Sequence, residues 1–266
     1  LKIGELIELA AHYRMPAVAI TDHGNLFGAV EFYKKATKAG IKPIIGCEVY
    51  VAPKNMLDKT KDESNESSFH LVLLARDNNG YKNLVTLVSK AYTDGFYYKP
   101  RIDKALLEQY SGGLIGLSSC MKGEIPYYLH RGMLDEAREA ALEYKRILGP
   151  ENFFIEIQNN DLEEQDKLNL KLIDLARDLH IGIAGTNDCH YLKKEDAKAH
   201  DILICIQTGK TVSDENRLKF TSDGFYFKSP DEMKAYFKDV PEAVLNTKAI
   251  AERCNVDFKL GVTLLP

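Results

Sequence analysis

Residues 17–25 read AVAITDHGN, an apolar run rich in β-branched residues that stops at Asp22 and His23, with Gly24 free to turn the backbone. A strand that delivers a carboxyl and an imidazole at its carboxyl end has the form of an active-site wall, because ligands and metals in α/β folds gather at that edge. Upstream, Ile3, Leu6, Ile7 and Ala10 share one helical face, and Met15-Pro16 breaks that pattern. Downstream, residues 26–39 predict a helix carrying Lys34, Lys35 and Lys38 near its end, with Gly40 as its cap. The stretch is therefore the strand of one β-then-α unit.

The same alternation continues along the chain. Strands are expected at 43–51 (PIIGCEVYV), 70–75 (HLVLLA), 114–118, 153–158 (FFIEIQ) and 181–186 (IGIAGT), and helices at 81–91, 134–148 and 162–179. Residues 54–68 are charged and Ser/Asn-rich and read as an exposed loop, while Pro100 forbids a continuous helix through FYYKPRID. Six strands alternating with helices imply parallel strands joined by right-handed crossovers. A TIM-type barrel needs about eight such units, so an incomplete or irregular barrel is expected, with a doubly wound open sheet as the alternative. Beyond Asp201 the pattern changes to the helical DILICIQTG, a turn-rich middle and two short helices over 230–254. The expected organisation is a β/α barrel over 1–200, a helical part over 201–259 and a linker over 260–266. Residue 1 is Leu and falls inside a helical pattern, which reads as a piece of a longer polypeptide.

Composition bounds the function. With 266 residues, 45% of them hydrophobic, the chain can bury a full core. No apolar run approaches the about 20 residues of a spanning helix and no signal peptide opens it, so no membrane role is expected. The five cysteines, at 47, 120, 189, 205 and 254, are scattered singly. That suits a reducing cytoplasm and argues against a disulfide framework or a zinc ribbon. The 35 basic and 39 acidic residues leave a net charge of −4, so any contact with DNA must be local or come from another domain. No P-loop or GxGxxG is present, and GLSSC lacks the GxSxG elbow.

Each strand deposits a metal-capable residue near an end: Asp22 and His23, then Glu48, Cys120, and Asp188 with His190. Imidazole and carboxylate ligands suit Zn²⁺, Mn²⁺ or Fe²⁺, and such a site activates water for attack at phosphorus. In Asp188-Cys189-His190 an extended backbone would put the carboxylate and imidazole on one side and Cys189 on the other. Bland readings compete at every position. Asp22 before Gly24 fits a helix cap or a turn. His70 starts its strand instead of ending it and reads as a packed histidine, and Cys120 alone reads as a small buried hydrophobe. Glu48 resists dismissal, because an acid inside an apolar strand is expensive to bury unpaired. His12, His130, His180 and His200 lie on helical stretches and read as surface or supporting groups.

TDHGNLFGAVEFYKKATKAGIKPIIGCEVYVAP, HLVLLARDNNGYKNLVTLVSKAY, GFYYKPRID, SSCMKGEIP, GTNDCHYLKKEDAKAHDILICIQTGKT and RCNVDFKLG resemble, in order and almost end to end, the amino-terminal PHP (polymerase and histidinol phosphatase) domain of bacterial DNA polymerase III alpha subunits. The resemblance implies an α/β fold, a distorted (β/α)7 TIM-like barrel with up to three divalent metal ions (Zn, Mn or Mg) at the strand ends. Carried over by motif, it implies His23, Glu48, His70, Cys120, Asp188 and His190 as ligands, with Asp22, His23 and Asp188 as the catalytic candidates. Apart from the resemblance, the basic residues Lys99, Arg101 and Lys122 near the site are candidates for holding substrate phosphate, although exposed loops are commonly Lys- and Tyr-rich and solvated surface is the favoured reading. In relatives that keep the ligands, the domain is associated with 3′→5′ proofreading exonuclease activity; in others it is a scaffold that stabilises the polymerase and docks a proofreading subunit. The implied partners are DNA, other domains of the same chain and other replicase subunits, in the cytoplasm. The family's first motif, HxH followed by an acid, would precede residue 1, so metal binding in these residues is expected to be partial and hydrolysis weak. A stand-alone phosphatase of small metabolites such as histidinol phosphate is the third reading, and the polymerase-like strings speak against it.

Overall fold

The unit that opens the chain forms as its pattern requires: α1 (Ile3–His12) buries Leu6, Ile7 and Ala10, β1 (Ala17–Ile20) follows, and α2 (Ala29–Lys38) returns antiparallel to it. Gly40, at φ +73°, takes the left-handed conformation that closes α2 without a Cβ penalty. Residues 1–59 and 67–261 are described by the structure, a computed structural model; the expected loop at 54–68 and the linker at 260–266 therefore lie partly outside the described residues.

Next come β2 (Lys42–Val51), β3 (Phe69–Ala75), α3 (Asn78–Thr93), the two-residue β4 (Arg101–Ile102), α4 (Lys104–Gln109), β5 (Leu114–Leu117), α5 (Glu124–His130) and α6 (Leu134–Leu148). The chain continues through β6 (Phe153–Gln158), α7 (Glu163–Asp178), β7 (Gly182–Thr186), a 3-10 turn (Lys194–Asp196), α8 (Ala197–Thr208), α9 (Pro230–Tyr236) and α10 (Pro241–Arg253). The strands form one seven-stranded sheet among the described residues, in the order β1-β2-β3-β5-β6-β7, with β4 paired beside β2. The order ends at β1 and β7, so the sheet is an open half-barrel flanked by helices.

Two expectations need correction. The strands are not all parallel: β3 runs antiparallel to both β2 and β5, while β1-β2, β2-β4, β5-β6 and β6-β7 are parallel. A parallel return demands a crossover element, and no helix lies between Val51 and Phe69 among the described residues, so β3 folds back beside β2. The sheet also has a strand the alternation did not show. β4 is only two residues long, held by the pairs Tyr50↔Arg101 and Val51↔Ile102, too short for any period to be legible.

The period-two alternation of the strands divides the sheet's faces. Cys47, Val49, Val51, Leu71, Leu73, Ile155, Ile157 and Ile183 join Leu84 and Leu87 of α3, Tyr144 of α6 and Leu172 of α7 in the main core. Fully burying each such aliphatic side chain contributes about 1.5–3 kcal/mol. The opposite face is divided along its length. Its lower part, Ile44, Val72, Leu74, Ile115, Leu117 and Ala184, is covered by Ile250 and Cys254 at the end of α10. Its upper part carries Glu48, Tyr50, His70 and Glu156, which are polar and turned away from the main core.

Candidate metal centre

The reversal of β3 decides where His70 goes. In an antiparallel neighbour the first residues lie beside the last residues of β2, and the register pairs His70 with Tyr50 and Val72 with Glu48. Directly paired residues of an antiparallel ladder project to one face, so Glu48 and His70 sit diagonally on the same side. β1 supplies the third group. The backbone beyond it follows β2 through Glu48 N to Asp22 O (3.1 Å), Gly24 N to Glu48 O (2.9 Å) and a parallel bridge between His23 and Glu48. Gly24 has φ +64°, and a Cβ there would lie 2.9 Å from Pro100 Cγ and 3.1 Å from Tyr50, so only glycine makes this turn.

His23, Glu48 and His70 each offer a ligand atom, and the three atoms lie within 4.8 Å of one another. Glu48 Oε1 is in direct contact with His70 Nδ1 and 3.6 Å from His23 Nδ1. Cys120 Sγ is 3.7 Å from His70 Nδ1. The His190 ring centroid lies 6.1 Å from that of His23, and Asp188 Oδ1 is 3.7 Å from His190 Nδ1. Groups from five strand ends, far apart in sequence, thus converge on one rim.

Charge and burial are coupled here. Burial pushes the Glu48 carboxyl up, but contact with His70 and the nearby His23 and His190 outweigh it, and the net direction is down. Burial lowers His23, with His70 and His190 adding to it against the opposing pull of Glu48. Asp188 is raised, first by burial and then by Glu48, against the pull of its histidine neighbours. Cys120 is pushed well up by burial, with Glu48 and Asp188 adding to it, so its thiol holds its proton unless a cation arrives.

Two residues at this rim hold non-glycine left-handed backbone, Ser119 at φ 65° and Asp188 at φ 47°. The second corrects the expectation of an extended Asp188-Cys189-His190. β7 ends at Thr186 and the chain turns at Asp188, so His190 Nδ1 lies 2.9 Å from the Asp188 carbonyl. Cys189 does point away, its thiol donating to Asn187 Oδ1. A buried amide network fixes the same corner. Asn169 Nδ2 donates to Gln158 O, Gln165 Nε2 to Gln158 Oε1 and Asn160 Oδ1, and Asn187 Nδ2 to Tyr226 O.

Asp22 is exposed and its carboxylate faces α2, 3.5 Å from where a Cβ on Gly28 would sit. Its backbone carbonyl, not its side chain, serves the cluster. Arg101 requires a plain correction as a phosphate ligand. It is 1% exposed and donates to four backbone carbonyls, those of Gly95, Ser67, Met56 and Asp58. A guanidinium so enclosed pins the chain around β4 and has no reach to a substrate. Lys122 is exposed, and its carbonyl accepts from His70 N. Lys99 lies over Tyr50, 5.5 Å from the ring centroid, and that ring is 5.1 Å from the ring of His70. His200, expected among the supporting groups, packs edge-on to His190 with centroids 5.5 Å apart.

One polar group went unremarked in the sequence. Glu156 in FFIEIQ is 4% exposed and accepts from Ser119 N, Gln158 Nε2 and Thr186 Oγ1. Burial, with Glu48 and Asp188 adding to it, pushes its carboxyl up to about 7. The signal that singled out Glu48, an acid inside an apolar strand, was equally present there.

An open α/β half-barrel with imidazole, carboxylate and thiol groups gathered at one rim belongs to the barrel-like class whose ligands sit at strand ends. Within that class, the chain belongs to the PHP domain family, whose profile matches residues 1–160. It is 48% identical over 261 residues to the DNA polymerase III subunit alpha of Treponema pallidum, covering 98% of this chain and 22% of the relative. It is 47% identical over 259 residues to that of Borreliella burgdorferi, covering 97% and 22%. Against that of Thermus aquaticus it is 49% identical over 250 residues, covering 92% and 20%. The chain thus spans about a fifth of the length of these relatives, and the resemblance read from its motifs is borne out.

Proposed function

We propose that this chain is the PHP portion of a bacterial replicative DNA polymerase and that its rim cluster, loaded with divalent cations, hydrolyses a DNA phosphodiester in the 3′→5′ direction. Nucleotidyl transfer belongs, in this reading, to other domains of the same polypeptide, with DNA and further replicase subunits as partners in the cytoplasm. Residues 1–200 are then the barrel, 201–259 its helical extension and 260–266 the join to the next domain. No helix among the described residues is long and apolar enough to cross a membrane.

The observation that carries this reading is the convergence of His23, Glu48 and His70 to within 4.8 Å. A cation fits the donor set. Glu48 Oε1 is buried, crowded by two imidazole nitrogens, and has no hydrogen bond of normal geometry. Such an atom is costly unless a positive charge meets it. The thiol and imidazole donors favour Zn²⁺ over Mg²⁺, while the carboxylates also accept Mn²⁺. The residues that would hold the ions are His23, Glu48, His70, Cys120, Asp188 and His190. When bound, divalent ions there neutralise charge developing on a phosphoryl oxygen and acidify a water nucleophile. Glu48, buried between two imidazoles, brings negative charge to the cluster, and Asp188, 3.7 Å from His190, is the candidate to take a proton from attacking water. Exposed Lys122, two residues after Cys120, and Lys99, over the Tyr50 ring, are the candidates for meeting the phosphates of an incoming strand.

Full-length polymerase assayed on a mismatched primer end tests the reading. Manganese- or zinc-dependent trimming is expected, and it should vanish in Asp188→Asn. Trimming that survives Asp188→Asn refutes the assignment. Absence of trimming under all metals, together with loss of thermal stability in Glu48 and His190 variants, would make the cluster a structural one.

A further inference from the structure

Glu156 belongs to none of the groups that would contact a metal, yet it sits beneath them with every oxygen occupied. The ladder between β5 and β6 has two register pairs, Gly116↔Phe153 and Leu117↔Phe154. Beyond them Ser118 N still reaches Phe154 O at 3.1 Å, and then side chains take over. Glu156 N donates to Ser118 Oγ at 2.8 Å, and Glu156 Oε2 accepts from Ser119 N at 3.0 Å. On its other side Glu156 Oε1 accepts from Thr186 Oγ1 and, at 3.1 Å, from Gln158 Nε2. One carboxylate therefore ties the residue before Cys120 to the residue that ends β7, two before Asp188.

Both tied segments need holding. Ser119 and Asp188 occupy left-handed backbone, a conformation that costs about 1–3 kcal/mol and persists only where surrounding bonds impose it. The Ser119 N–H bond to Glu156, with the Ser118 bonds to Phe154 and Glu156 beside it, holds this turn. The geometry points to Glu156 as a positioning residue that holds the Cys120 and the Asp188/His190 arms at one spacing, so that both can address the same cation. This inference rests on the metal-centre reading above.

The two oxygens make the idea separable by substitution. In Glu156→Gln the single amide oxygen is drawn to the side with two donors, Thr186 and Gln158, which leaves the new NH₂ against Ser119 N–H. The Cys120 arm is then released. Thr186→Val removes the hydroxyl at nearly constant volume and loosens the other arm instead.

Co²⁺ titration of the 266-residue chain reads both arms, because a cysteine thiolate on Co²⁺ gives a charge-transfer absorption that Cys120→Ser must abolish. In Glu156→Gln the affinity for Co²⁺ should fall roughly 10- to 100-fold, the usual effect of removing a supporting hydrogen bond, and the charge-transfer band per bound ion should shrink. Thr186→Val should lower affinity while the band per bound ion stays intact. Circular dichroism of the metal-free proteins checks that each is folded. Wild-type affinity and band in a folded Glu156→Gln overturn the inference alone. If that variant does not fold, Thr186→Val decides, and wild-type affinity there overturns it. A wild-type chain that takes up no Co²⁺ overturns the metal-centre reading and this inference with it.

Discussion

Replacing Glu156 by Gln should make the protein's stability less dependent on pH, by an amount the buried carboxyl itself sets. Its native value is pushed up to about 7 from an ordinary 4.5, and the side chain is almost fully buried, so solvent screening gives little discount. Between those values the unfolded chain has released this proton while the native protein retains it. Wild-type stability is therefore fully present below the lower value, falls as pH rises through the window, and levels off above the upper one. A difference of about 2.5 pH units at 1.36 kcal/mol per unit is about 3 kcal/mol. Gln has no proton to lose, and the cost of its misplaced NH₂ is the same at every pH. Urea unfolding of both proteins in EDTA, from about pH 5 to about pH 8, gives the difference directly, since the histidines titrate in both and cancel. Relative to wild type, the variant should gain about 2.5 kcal/mol from about pH 5 to about pH 8, since the unfolded carboxyl is already largely ionised at the lower end. A difference that stays constant within about 0.5 kcal/mol would refute the raised carboxyl of Glu156. Added divalent cation should flatten the wild-type curve, because a nearby positive charge lowers the carboxyl.

Arg101→Lys should cost about 2–4 kcal/mol in chemical denaturation, since an ammonium cannot serve the four carbonyls that the guanidinium fork bridges. An exposed phosphate-binding arginine would instead leave stability within about 0.5 kcal/mol. Gly80→Ala should destabilise by at least about 2 kcal/mol, because the new Cβ would meet the Gly113 carbonyl oxygen at 1.8 Å. In an open helix the same change stabilises by about 1 kcal/mol, so a raised melting temperature would contradict the packing of α3 against Gly113.

The β-then-α units were legible because their signals are local. AVAITD, FFIEIQ and IGIAGT are apolar runs bounded by turn residues, and Gly40 marks a helix end on its own. The direction of β3 was not, since an apolar run looks the same whichever way it crosses a sheet. The clue was that residues 54–68 read as a loop with no helical pattern for a crossover, an absence that periodicity does not weigh. His70 followed the same logic: a residue at a strand's start belongs to the wrong edge in a parallel sheet and to the right edge in a reversed strand. Arg101 was misread because three of its carbonyl partners, those of Met56, Asp58 and Ser67, lie far away in sequence, and a Tyr- and Lys-rich stretch looks solvated from within. Glu156 was overlooked although its setting in FFIEIQ is as informative as that of Glu48.

The hairpin formed by β2 and β3 has a further consequence. Glu48 and His70 are written into a single antiparallel ladder, so a slip of β3 by one residue would turn His70 to the face opposite Glu48 and part the pair. Two of the six candidate ligands are thus set by one strand pairing, while the others come from strands joined to it by other connections. Chain registry and the shape of the candidate site become two readings of one event, and the pair is portable as a unit to another reversed strand pair.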